Sequence, residues 1–368
     1  MNRDNVATIL EAIGSVKEQK DIAFAVWKSS EYRWCVEEFI DIKWSIQDEA
    51  QLRDALDQSL LRHRVLKLLV RNPCELPESI KLLVNLTDIN VSLRDIDLGC
   101  LSCLCGLAHL NKLVMACDVM TNVSALSRLT QLKSLTLHKY MSASPCSDSG
   151  SEIGSVVGTM TNLEELSLFF MNDTNVDWIS NLVNLTSLDL TGVIGIEYVR
   201  HLTKLVRLCV FVYKCIEFDL EPLRNLTDLK RLRVRAVLAT VQAVPLLNLT
   251  KLVALMLMAH RITDVGVVWS LVNLEQLKLH GNIQTIRGIE ALTKLKSLDL
   301  ESTNLMGDVD ALKNLTTLTA LNVSDNHITD ATCLTSLVNL QTLDVSKNSR
   351  HCHVHGLDAL PKIKRIRR

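Results

Sequence analysis

One apolar motif returns along this chain at a nearly constant step. The pattern L-x-x-L-x-L starts at Leu86, Leu110, Leu132, Leu163, Leu185, Leu205, Leu229, Leu252, Leu274, Leu295, Leu318 and Leu340, with steps of 20 to 24 residues and a single step of 31. Clear copies are LEELSL at 163–168, LTSLDL at 185–190, LEQLKL at 274–279, LKSLDL at 295–300 and LQTLDV at 340–345. The second and third apolar residues are two apart, so they point to the same side of a short strand. About ten residues later a second apolar set, such as Trp178, Ile179 and Leu182, or Ile289 and Leu292, returns the chain across the far side of a core. One such unit cannot hide its apolar face alone. Stacked neighbours hide it together, with their strands parallel. Apolar residues make up 48% of the chain and aromatics only 4%, so that core is aliphatic.

The segment LTALNVSDNHITDATCLTSLVNLQTLDVSKN at 318–348 resembles the leucine-rich-repeat superfamily. The resemblance covers roughly residues 80 to 360. Its nearest class is the short repeat seen in bacterial internalins and in the regulatory subunit of type-1 protein phosphatase. It implies an α/β solenoid, a leucine-rich-repeat horseshoe with a parallel concave sheet, and a role in binding. In that pattern an asparagine after each strand satisfies buried backbone groups. Asn282, Asn326 and Asn348 fill the position; Asp118, Tyr140, Val193, Tyr213, Val237 and His260 replace it earlier. Less regular turns and lower local stability are expected in those earlier copies.

Three regions follow. Residues 1–62 lack the repeat; Val6, Ile9, Leu10, Ile13 and Val16, and again Leu52, Leu56 and Leu60, fall at helical spacing. We read this stretch as a helical N-terminal cap over the open end of the core; an independent recruitment domain is the competing reading. Residues 63–356 form the solenoid of about twelve repeats, with VLKLLV at 65–70 as a degenerate first strand. The long step holds an insertion at 139–155, KYMSASPCSDSGSEIGS, rich in Ser and Gly and read as a flexible surface loop. Residues 357–368 are a C-terminal cap ending in a basic tail.

Chemistry is sparse. Phosphate loops, dinucleotide fingerprints, H-E-x-x-H and G-x-S-x-G are missing from the sequence, so no enzyme and no cofactor are expected. Cys100, Cys103, Cys105 and His109 have the look of metal ligands, but Leu98, Leu101, Leu104, Leu107 and Leu110 run through the same stretch and make it core. His351, Cys352, His353 and His355 lie close together in sequence and lack an evident fourth ligand; no metal is expected at either place. Eleven scattered cysteines and a charged start without a leader-like apolar run point to the cytoplasm, with the nucleus as the alternative. In that setting the nine N-x-S/T sequons are a phase of the repeat. No apolar run is long enough to span a membrane.

The third, fifth and seventh residues of each copy project from the concave sheet. In the copies starting at 205, 229, 252 and 274 these are Arg207, Cys209, Phe211; Arg231, Arg233, Arg235; Ala254, Met256, Met258; and Gln276, Lys278, His280. Five of these twelve residues are basic and none is acidic, although acids and bases balance along the chain at 41 to 40. The next copies give Ser297, Asp299, Glu301; Ala320, Asn322, Ser324; and Thr342, Asp344, Ser346. A basic centre is therefore expected to give way to an acidic C-terminal end, with Phe169 and Tyr213 adding aromatic surface. Arg with aromatic and Met side chains is the composition of interface hot spots. The expected function is a non-catalytic protein-binding scaffold gripping an acidic or amphipathic partner. A phosphatase regulatory subunit is the narrower reading and RNA binding on the same strip another. A merely solvated face is the plain alternative.

Overall fold

A computed structural model describes residues 39–43, 67–71, 76 and 78–368, apart from 93–94, 118, 140–148, 175, 214, 284 and 351. They fall into two compact units, within 1–171 and 172–368. The helical periodicities at 6–16 and 52–60 lie outside the described residues. Inside the expected helical stretch, Phe39–Lys43 is a strand. Its sequence, FIDIK, alternates in a way that suits a pleat better than a helix.

The first unit carries β1 (Phe39–Lys43), β2 (Lys67–Arg71), β3 (Asp88–Ser92), β4 (Asp95–Asp97), β5 (Lys112–Cys117), β6 (Val119–Thr121), β7 (Ser134–Lys139) and β8 (Glu165–Thr174), which ends just past its boundary. Each of β1, β2, β3, β5, β7 and β8 pairs in parallel with the next, while β4 and β6 pair separately. The segment at 65–70 is thus largely a strand, as expected. The second half of the 139–155 insertion is not loop but helix α1, Ser149–Val157. Its Ser and Gly content hides Ile153 and Val157, four residues apart and both buried.

The second unit holds β9 (Ser187–Val193), β10 (Arg207–Phe211), β11 (Glu217–Phe218), β12 (Arg231–Gln242), β13 (Ala254–Thr263), β14 (Gln276–Asn282), β15 (Ser297–Asp299), β16 (Met306–Asp308), β17 (Ala320–Asn322), β18 (His327–Asp330), β19 (Thr342–Asp344) and β20 (Arg365–Arg367). The sheet runs β9-β10-β12-β13-β14-β15-β17-β19-β20, every pair parallel. The order follows the chain, one strand per copy of the motif. The expected basic tail is therefore partly structured: β20 closes the sheet against β19.

The first, fourth and sixth residues of each copy form the core; Leu229, Leu232 and Val234 are fully buried. Most returns are short 3₁₀ segments, such as Glu197–His201 and Thr332–Ser336, and one, Gly266–Trp269, is a single α-helical turn. Leucines close them: the Leu202 amide donates to Val199 O and the Leu205 amide to Leu202 O. The edge at the strand starts is laced by alternating Asn or Asp and Lys. Lys204 Nζ bonds Asn184, Lys251 Nζ Asp228, Lys294 Nζ Asn273 and Lys362 Nζ Asn339, each at 2.6–2.7 Å.

Strand length changes abruptly along this unit. β12 has 12 residues and β13 has 10, but β15, β17 and β19 have 3 each. In three copies the fifth residue of the motif ends the strand. In the short copies it is Asp299, Asn322 or Asp344, whose Oδ1 accepts the amide two residues on, in Glu301, Ser324 and Ser346, at 3.0–3.1 Å. Such Asx turns end a strand. In the long copies the fifth residue is Arg233 or Met256, which has no oxygen to offer, and the backbone satisfies itself by further pairing. The irregular turns expected where the asparagine is missing are thus partly replaced by longer strands. Among the described residues no helix is long and apolar enough to cross a membrane.

Candidate partner-binding face

Cross-strand register brings most of the predicted residues together. Arg207 lies opposite Arg231, Cys209 opposite Arg233 and Phe211 opposite Arg235. On the other side Arg233 meets Met256 and Arg235 meets Met258, which in turn face Lys278 and His280. All these side chains are exposed or half-buried, whereas Leu208, Val210, Leu232 and Val234 between them are buried. Tyr213 stands exposed just past the end of β10. Phe169 belongs to the first unit, on β8, where it stacks on His138 with ring centroids 3.9 Å apart.

The charges are not equivalent. Lys278 is bonded to Asp299 across β14 and β15, so its cation is answered within the fold. His280 Nδ1 lies 3.1 Å from the Glu301 carbonyl oxygen. Arg231, Arg233 and Arg235 are exposed in one row, and among the described residues none of the three forms an ion pair. Arg235 instead lies 5.9 Å from the Phe211 ring centroid, a cation–π contact that fixes its direction. Between the arginines and Lys278, a shallow depression of about 260 Å³ has Ala254 and Met256 as its floor.

The expected acidic C-terminal end needs correction. Asp299 is taken by Lys278, and Asp344 lies 3.7 Å from Arg367 on β20. Both carboxylates also cap their own turns. Sequence position alone gave no view of either pairing, because each depends on register between coils.

Cys209, in the same array, is held as a neutral thiol. Burial, and then the Asp189 carboxylate beside it, push its pKa up to about 12, against the pull of Arg233. Its deprotonation is disfavoured at neutral pH. In the first metal-like cluster Cys103 is buried while Cys105 and His109 are exposed; His351 of the second lies outside the described residues. Sequence reasoning missed an apolar rim beyond the arginines. Leu238 on β12 is 63% exposed and Ile216, whose carbonyl accepts the Thr240 amide, is 79% exposed. The only signal was in RLRVRAVLATVQ, where β-branched and apolar residues run on past the six-residue motif, although the alternation changes phase at Val237 and Leu238.

Comparison with solved structures decides the class. An internalin of Listeria monocytogenes superposes at TM-score 0.60 with 25% identity, covering 81% of this chain and 89% of that one. The chain is a leucine-rich-repeat protein. A leucine-rich-repeat protein of Leptospira interrogans matches over 88% of this chain and 100% of its own, at TM-score 0.54 and 19% identity. The leucine-rich-repeat ectodomain of a membrane receptor kinase from Arabidopsis thaliana, solved with Casparian strip integrity factor 2, matches at TM-score 0.61 and 22% identity; the match spans 82% of this chain and 38% of that ectodomain. No family model matches the sequence, and no curated protein does. Within the leucine-rich-repeat frame, the face described above is the solvent side of the sheet.

Proposed function

We propose that this leucine-rich-repeat protein is a non-catalytic scaffold that binds an acidic protein partner on the outward sheet face of its second unit. One observation carries the reading: β12 holds Arg231, Arg233 and Arg235 in an exposed row without carboxylate partners, beside Met256, Met258 and Phe211. A guanidinium fork pairs carboxylates bidentately, and the adjoining sulfur and aromatic surface supplies apolar contact. The plant receptor ectodomain, solved in complex with Casparian strip integrity factor 2, supports a protein ligand for this fold. Free thiols at Cys105, Cys209, Cys215 and Cys352 support a reducing compartment, the cytoplasm in our reading.

Affinity capture from native lysate tests this. Reversing both Arg231→Glu and Arg233→Glu should abolish recovery of the partner. Lys296→Glu, at the strand-start edge and paired with Glu275, should leave recovery intact. Equal recovery with all three proteins would remove the site assignment.

A further inference from the structure

The spacing of the arginine row defines its ligand more narrowly than charge alone; this step rests on the reading above. Arg231, Arg233 and Arg235 are alternate residues of one strand, so their side chains stand about 6.6 Å apart and span about 13 Å in a straight line. An extended chain laid along them repeats its side chains on one face at the same interval. A helix does not: every fourth residue drifts by about 40° around the axis, so three acids cannot stay in line at equal spacing. Past Arg235 the pairing with β13 shifts between Ala236 and Thr240, and the next exposed residue is Leu238, three positions on, with exposed Ile216 on the neighbouring coil. The row therefore reads three unanswered cations and then an apolar end.

We propose that the occupant is an extended acidic segment with carboxylates at three alternate positions and a large apolar residue shortly beyond the last. The carboxylates pair with Arg231, Arg233 and Arg235, and the apolar side chain covers Leu238 and Ile216. Arg235 also lies over the Phe211 ring, 5.9 Å from its centroid, which leaves its guanidinium open to a carboxylate.

Fluorescence anisotropy with short labelled peptides tests this on the full chain. The probe is Glu-Ser-Glu-Ser-Glu-Ser-Leu. Controls are the same residues with the glutamates contiguous, the probe with Leu replaced by Ser, and a single-stranded RNA of equal charge. At moderate salt the alternating peptide should bind about tenfold more tightly than the contiguous one. Arg233→Gln should remove most of that advantage. Leu238→Ser should weaken the leucine probe and leave the serine peptide unchanged, a coupling that misfolding would not produce. Equal affinity for both glutamate orders, or for the RNA, overturns the proposal. So does binding that ignores Leu238. If the peptides fail to discriminate while Arg231→Glu with Arg233→Glu still loses the captured partner, the extended-segment proposal falls and the scaffold reading stands; loss of both results removes both.

Discussion

At the scale of single residues, the asparagine after the strand shows how one side chain holds a coil. Asn326 is buried. Its Nδ2 donates to the carbonyls of Leu300, Val323 and Ser324 at 2.8–3.0 Å, and its Oδ1 accepts the amides of Thr303 and Leu305 at 3.1 and 3.0 Å. It ties one turn to the next. Asn282 occupies the same place in its own copy, yet its buried Oδ1 has no hydrogen-bond partner among the described residues. Identical letters thus carry different energies. Replacing Asn326 by Ala should cost about 3 kcal/mol, since several buried backbone groups lose their partner. Asn282→Ala should cost about 1 kcal/mol or less. Urea unfolding followed by circular dichroism separates the two; equal losses would show that the ladder is not what secures the turn. Gly281 is constrained for another reason: at φ +117° a Cβ there would lie 2.0 Å from the Ala259 carbonyl oxygen.

At the scale of elements, the leucines made the coils legible. Each L-x-x-L-x-L predicted a strand, and the structure has a strand in each copy, pairing in chain order within each unit. Where each strand stops was also written in the sequence, at Asp299, Asn322 and Asp344, but only as a local turn code that leucine spacing does not reveal. Helix α1 was hidden by its serines and glycines, and β20 by the look of a charged tail. The binding face follows from the same rule. In β12 and β13, where Arg233 and Met256 stand in place of the turn-forming residue of the short copies, the strand is longer and carries a longer outward row. The arginines on β12 come at a cost, because Arg231 lies opposite Arg207 and like charges held across a ladder repel. Arg231→Gln should therefore stabilise the free chain by about 0.5 kcal/mol while weakening partner binding. A thermal melt at low salt reads the first effect. A lower melting temperature would mean that Arg231 serves the fold and not a ligand.

At the scale of the whole molecule, a formal charge of −1 conceals how the charges are spent. Many answer one another on the surface, as in Lys133–Glu164, Lys251–Asp228 and Lys296–Glu275. Such exposed pairs add little stability. The row on β12 differs in being left unanswered, and that difference is the basis of the functional account. The balance of 41 acids and 40 bases gave no sign of this row; register between coils was needed to tell Lys278, which is engaged, from Arg233, which is not. Arginine-directed labelling with phenylglyoxal, read by mass spectrometry with and without the captured partner, tests this directly. In the complex Arg231, Arg233 and Arg235 should become protected, while exposed Arg287 stays as reactive as in the free chain. Unchanged labelling of the three arginines, with protection elsewhere on the surface, would contradict the account.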